Sequence, residues 1–184
     1  ANTCTGSIGQ KTLNNPAHCA GIGLHSGAEI AMTLRPAPVD SGIVFSRVDK
    51  GDALLPALYD RVYETTLGTS LGERDGASVG TVEHLMAALW GCEIDNVFVE
   101  VDGPEVPAMD GSAAPFVDLI ERAGTVEQQG LRQVIKVRRR VEVVDGERRI
   151  ALIPTENFSV DLSIDFKHRV IACQSSLFDG GPLA

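Results

Sequence analysis

Between Ala28 and Pro36 the chain reads AEIAMTLRP, in which Ile30, Met32 and Leu34 alternate with Glu29, Ala31, Thr33 and Arg35. A period of two puts alternate side chains on opposite faces of an extended backbone, so this segment reads as a strand with one face buried and one wet. Such a strand needs neighbours for its backbone and a cover for its apolar face. Short β-prone runs at His18 to Ile22 and Gly42 to Val48, set off by Gly and Pro, read as neighbouring strands. The segment GIGLHSG joins the first two strands and uses its glycines for a tight turn.

The cover is expected from two helices. In VEHLMAALWG, Leu85, Ala88 and Leu89 recur at helical spacing and Gly91 marks the stop. PAMDGSAAPFVDLIERAG reads as a turn, then a helix from Ser112 to Arg122, with Ser112 as N-cap and Gly124 as the stop. Asp110 is expected to cap that turn and the second helix. IDNVFVEVDG, between the helices, is an apolar strand. Residues 51–78 carry only weak strand signals, near Tyr59 to Tyr63 and Thr65 to Leu71. TVEQQG reads as a polar connector, VIKVRRRVEVVDGERRIALIP as a hairpin turning at Asp145-Gly146, and FSVDLSIDF as one more strand; from Lys167 periodicity fades. The fold class is α+β: a tail at 1–9, a complete unit at 10–126, a linker at 127–130, and the opening strands of a second unit at 131–184.

With 184 residues and 43% hydrophobic content, the chain has material for a packed core. A formal net charge of -9 argues against nucleic acid as a partner, since a phosphate backbone needs a concentrated basic surface. The one basic cluster, Lys136 with Arg138 to Arg140, reads as a solvated face. No apolar run reaches the roughly 18 residues of a membrane span, and the opening ANTCTGSIGQ lacks the order of a signal peptide, so a cytoplasmic location is expected. Cys4, Cys19, Cys92 and Cys173 lack CxxC spacing and are expected to be reduced, idle thiols.

Glu83 and His84 stand side by side at the start of the first helical run. Neighbours on a helix point about 100° apart, so they reach one site only at its N-terminal edge. There a histidine can bind zinc and a glutamate can take a proton from water; the alternative is an ordinary polar first turn favoured by the helix dipole. His25, between glycines in a turn, is a second candidate. His18 reads as a packed or surface residue, and His168 lies at a strand end with nothing to fix a role. Asp95, Asp102, Glu105 and Asp110 do not match calcium-loop spacing. Walker, GxSxG and dinucleotide motifs are absent.

Taken together, KTLNNPAHCAGIGLHSG, LRPAPVDSGIVFSRVD, GTVEHLMAALWGCEIDNVFVEVDGPEVPAMDGSAAPFVDLIERAG and FSVDLSIDFKH resemble, in order and spacing, the UDP-3-O-acyl-N-acetylglucosamine deacetylases, zinc enzymes of lipid A synthesis in Gram-negative bacteria. The resemblance implies two similar domains, each a sheet layered on a pair of helices, with the site between them. This chain would hold one complete domain and part of the second. It further implies that His84 binds zinc and that Glu83 is the general base. His25 supports the site, and Leu67 and Gly68 lie in a small strand insert bordering it. The substrate implied is UDP-3-O-acyl-N-acetylglucosamine, whose acyl chain allows transient contact with a membrane surface.

The family's other zinc ligands and its acidic histidine lie in a later segment, and residues 172–184 contain none of them. Two readings follow. The favoured one is a piece of a complete deacetylase, because Glu83, His84 and their flanks are intact; the other is a shortened, non-catalytic homologue binding a sugar nucleotide or a partner. In either case a partner chain or self-association is the expected cover for the incomplete second domain.

Overall fold

The computed structural model describes residues 9–74 and 76–182. The strands are β1 (Gly9–Leu13), β2 (Ala17–Ile22), β3 (Glu29–Pro36), β4 (Ile43–Arg47), β5 (Ala53–Pro56), β6 (Val62–Glu64), β7 (Ser70–Gly72) and β8 (Ser78–Val79). Helix α1 (Glu83–Gly91), β9 (Val97–Val101) and α2 (Ala114–Ala123) follow. The chain ends with β10 (Thr125–Leu131), β11 (Val141–Asp145), β12 (Arg148–Leu152), β13 (Asn157–Asp165) and β14 (Cys173–Pro182). The class is α+β. Its contacts divide it into two compact units, the first ending at Arg132 and the second beginning at Gln133.

The first unit is built on a five-stranded sheet in the order β2-β3-β9-β4-β5. The opening alternation holds: Ile30, Met32 and Leu34 are buried, while Glu29, Ala31 and Arg35 are exposed. Strand β9 is central because VFVEV buries every second side chain completely and has partners on both edges, antiparallel to β3 and parallel to β4. Leu34, Val99 and Phe45 therefore lie in register across three strands, all fully buried. Leu85, Ala88 and Leu89 of α1 and Phe116, Ile120 and Ala123 of α2 join the same apolar cluster. Each large side chain removed from water there contributes about 1.5–3 kcal/mol.

Several boundaries differ from expectation. TVEQQG is not a connector but most of β10, paired with β1, and 127–130 lies in its middle. Its polarity misleads because the side chains serve a buried network: Gln128 donates to the Ala37 carbonyl and accepts from Asn96, and Asn96 also bonds Gln10 and the Gly42 N–H. Tyr59–Arg61 is a 3-10 turn rather than strand, and of 65–71 only Ser70 and Leu71 fall in a strand, β7. Helix α2 starts at Ala114, so Ser112 is not its N-cap; the Ser112 hydroxyl accepts from Ala114 N–H one residue ahead of the cap position, and Asp110 braces Ser112 as expected of a turn cap but does not cap the helix. Helix α1 does end at Gly91, but the left-handed residue is Glu93, at φ 59°. Gly124, at φ 71°, closes α2 as expected.

Among its described residues the second unit forms two hairpins, β11-β12 and β13-β14. The first turns through Gly146-Glu147, since Asp145 pairs with Arg148; only Gly146, at φ 58°, meets the turn's left-handed requirement without strain. The aperiodic tail forms β14, whose long pairing with β13 comes from backbone bonds that need no side-chain pattern. The basic cluster is exposed, and Arg140 and Arg149 both pair with Glu142.

Candidate active site

The approach to α1 is set by Gly80 and Thr81. The Gly80 N–H donates to the Pro104 carbonyl at 2.9 Å, and the Val106 N–H returns to the Gly80 carbonyl at 3.0 Å, so the chain is pinned to the segment after β9. Thr81 then takes φ 54°, a left-handed conformation rare for a β-branched residue. That turn swings the chain into the helix and leaves Glu83 and His84 in its first turn. The Glu83 carboxylate sits at the positive end of the helix dipole and accepts the Thr69 N–H at 3.0 Å through Oε2.

His25 arrives from the β2-β3 turn. Bonds from Gly23 N–H to the Ala28 carbonyl and from Gly27 N–H to the Gly23 carbonyl close this turn, and Gly27 takes φ 66°. A side-chain carbon built on Gly68 would lie 3.4 Å from His25 Nε2, 3.5 Å from Glu83 Oε1 and 3.9 Å from Thr81 Oγ1. Three polar atoms from two segments, the His25 turn and the approach to α1, thus converge over one glycine of a third, and a larger residue there would crowd the space between them. The preceding Leu67 takes φ 60° and is 85% exposed, so its side chain projects into solvent beside the convergence.

His84 is half-buried and, as the next residue on the helix, stands about 100° round the axis from Glu83. Hydrogen bonds from Ser112 hold the Asp110 carboxyl below its usual range, with a smaller contribution from His84. Glu83, His25 and Gly68 therefore meet, Leu67 borders them, and His84 occupies an adjoining position on the same helix turn.

Sequence reasoning missed Thr69, Thr81 and Glu105. Glu105 is 3% exposed and accepts the Ser26 N–H at 2.7 Å, the His25 N–H at 3.0 Å and the Thr81 hydroxyl at 2.8 Å. Burial by itself would raise its carboxyl; the bonds from Ser26, Thr81 and His25 outweigh that and hold it below the ordinary 4.5. The available signal was a carboxylate set among apolar neighbours in PEVP. Of the other acids rejected as a calcium loop, Asp95 binds Arg132 and the Lys11 N–H, and Asp102 accepts the Ala31 N–H. His18 is exposed with Nδ1 2.9 Å from the Thr33 hydroxyl, and His168 lies exposed in the turn between β13 and β14. Cys19, Cys92 and Cys173 are free thiols, the first two raised by burial, and Cys4 lies outside the described residues.

A catalytic zinc ion takes three protein ligands. Among the described residues no three His, Cys, Asp or Glu side chains gather in a way that could hold a metal ion. The described residues therefore do not by themselves make a three-ligand zinc centre.

A family model described as UDP-3-O-acyl N-acetylglycosamine deacetylase matches residues 10–182. Proteins called UDP-3-O-acyl-N-acetylglucosamine deacetylase are similar over most of the chain. That of Myxococcus xanthus (strain DK1622) is 52% identical over 176 residues, covering 95% of this chain and 56% of the relative. That of Syntrophotalea carbinolica is 47% identical over 168 residues, 91% of this chain and 54% of the relative. That of Teredinibacter turnerae is 49% identical over 164 residues, 89% and 54%. The chain spans about half the length of these curated relatives. With a match along nearly all of its length, the chain belongs to the UDP-3-O-acyl N-acetylglycosamine deacetylase family.

Proposed function

We propose that this chain carries the general-base half of a site that deacetylates UDP-3-O-acyl-N-acetylglucosamine, an amide hydrolysis in lipid A synthesis. The observation that carries the reading is the convergence of Glu83 Oε1 and His25 Nε2 over Gly68. Glu83 has one oxygen engaged by the Thr69 N–H, which fixes the carboxylate plane and leaves Oε1 turned toward the convergence. Oε1 takes a proton from a water whose oxygen adds to the acetamide carbonyl carbon; the C–N bond then breaks as a proton passes to its nitrogen, giving acetate and the sugar amine. His25 supplies a second polar group at the same point and orients the reacting oxygens. Gly68 leaves room for the acetamide, and Leu67 borders the entrance.

Zinc belongs to the proposal as the family's cofactor, with His84 as the donor from this chain. The remaining donors are assigned to sequence that the relatives have beyond the half matched here. A cytoplasmic location is proposed with this activity; no helix of the described residues is long and apolar enough to cross a membrane. The acyl chain of the substrate permits brief contact with a membrane surface.

The test is deacetylation of UDP-3-O-acyl-N-acetylglucosamine together with zinc content, on this polypeptide and on any longer product of the same gene. Glu83→Ala is expected to lower the rate by about 10²- to 10⁴-fold, the usual worth of a positioned base. His84→Ala is expected to lower zinc occupancy. An unchanged rate in Glu83→Ala would sink the mechanism.

A further inference from the structure

Glu105 takes no part in the roles assigned above, yet it ties together the segments that carry them. Its carboxylate accepts from two successive backbone N–H groups of the His25 turn and from the hydroxyl of Thr81, two residues ahead of Glu83. Its backbone is clamped to the same place by the bonds that flank it at Pro104 and Val106 to Gly80. The fit leaves no slack: a side-chain carbon on Gly23 would overlap Glu105 Oε1 and the Ser26 hydroxyl. The two backbone donors meet Oε1 and the Thr81 hydroxyl meets Oε2. A glutamine would remove the charge that strengthens all three bonds.

We propose that Glu105 is a positioning residue of the site, its buried carboxylate locking the His25 turn to Thr81 and thereby setting the His25 ring against the Glu83 carboxylate over Gly68. This rests on the deacetylase reading, in which His25 and Glu83 act at one point. Positioning matters there because a shift of about 1 Å at reacting groups costs on the order of 100-fold in rate. Thr81 is the link, since its Oγ1 both donates to Glu105 and faces the convergence. The hydrogen bond also holds Thr81 in its left-handed conformation.

The experiment compares Glu105→Gln, Thr81→Val and Thr81→Ser in the full protein, with folding checked by circular dichroism, amide resonances by NMR, and kcat and KM measured with UDP-3-O-acyl-N-acetylglucosamine. Glu105→Gln is expected to move the His25 and Ser26 amide protons upfield and to lower kcat by about 10- to 100-fold with KM changed less than about threefold. Thr81→Val should lower kcat by roughly threefold to tenfold, and Thr81→Ser, which keeps the hydroxyl, should restore it. Where Glu105→Gln does not fold, the Thr81 pair carries the kinetic test. Unmoved His25 and Ser26 amides overturn the proposal, as does wild-type kcat in Glu105→Gln despite moved amides, or equal rates for Thr81→Val and Thr81→Ser. Glu83→Ala at the wild-type rate sinks the deacetylase reading itself, whereas an inactive Glu83→Ala beside a fully active Glu105→Gln sinks only the role of Glu105.

Discussion

The two units use the same strand chemistry and reach opposite states of burial. In the first, VFVEV of β9 has a partner on each edge and two helices over its apolar face, and Val97, Val99 and Val101 are fully buried. In the second, VEVVD of β11 has one partner, and Val143 and Val144 remain 61% and 64% exposed. Strand propensity is alike in the two segments; cover is not. A strand's sequence thus specifies its backbone state, while its contribution to stability depends on what packs on it.

The comparison breaks most readily at Leu89, which lies under the sheet with no exposure. Leu89→Ala is expected to cost about 2–5 kcal/mol in urea denaturation of the first unit; a loss below about 1 kcal/mol would show that the helices do not stabilise it as described. Glu105→Gln is expected to cost about 1.5–3 kcal/mol at neutral pH, as for hydrogen bonds to a charged group. Its folded carboxyl is held below 4.5, so its stabilisation is full above the unfolded value and is lost as pH falls through the folded one. The gap between wild type and variant should therefore close in acid, and a gap independent of pH would contradict a native carboxylate.

Arg132 closes the first unit, bonding Asp95 through Nε and Nη2 at 2.7 and 2.8 Å, and Asp95 holds its guanidinium above its ordinary value. Arg132→Ala should cost about 1 kcal/mol and less at high salt, because the pair is partly exposed. Val143→Ala should cost less than about 0.5 kcal/mol, since a half-exposed side chain on an uncovered hairpin loses little on truncation. A loss like that of Leu89→Ala would mean that β11 is covered in solution and would erase the contrast between the units.

The readable parts of the fold were those where side-chain pattern and burial coincide. The alternation of β3, the apolar stripe of α1 and the Gly124 stop all report a local periodicity or a backbone conformation that few residues adopt. β10 and β14 were illegible for the converse reason: β10 spends polar side chains inside a hydrogen-bond network, and β14 is held by backbone pairing that carries no signature. Likewise the strand expected from Tyr59 to Tyr63 begins only at Val62, because Tyr59–Arg61, with a strand-poor Asp60 at its centre, forms a 3-10 turn in the connecting chain.

The site divides along the same line. By itself the sequence named the candidate residues Glu83, His84, His25, Leu67 and Gly68 and, through the resemblance of its blocks, the family. That Glu83 and His25 meet over Gly68 was decided by tertiary structure, because it depends on three loops brought together from residues 23–28, 67–69 and 80–83. The residue that joins two of those loops, Glu105, is a single carboxylate in an apolar run. Its apolar setting in PEVP hints at burial but not at a role, since its partners are far away in sequence and two of the three donors are backbone groups that every sequence possesses.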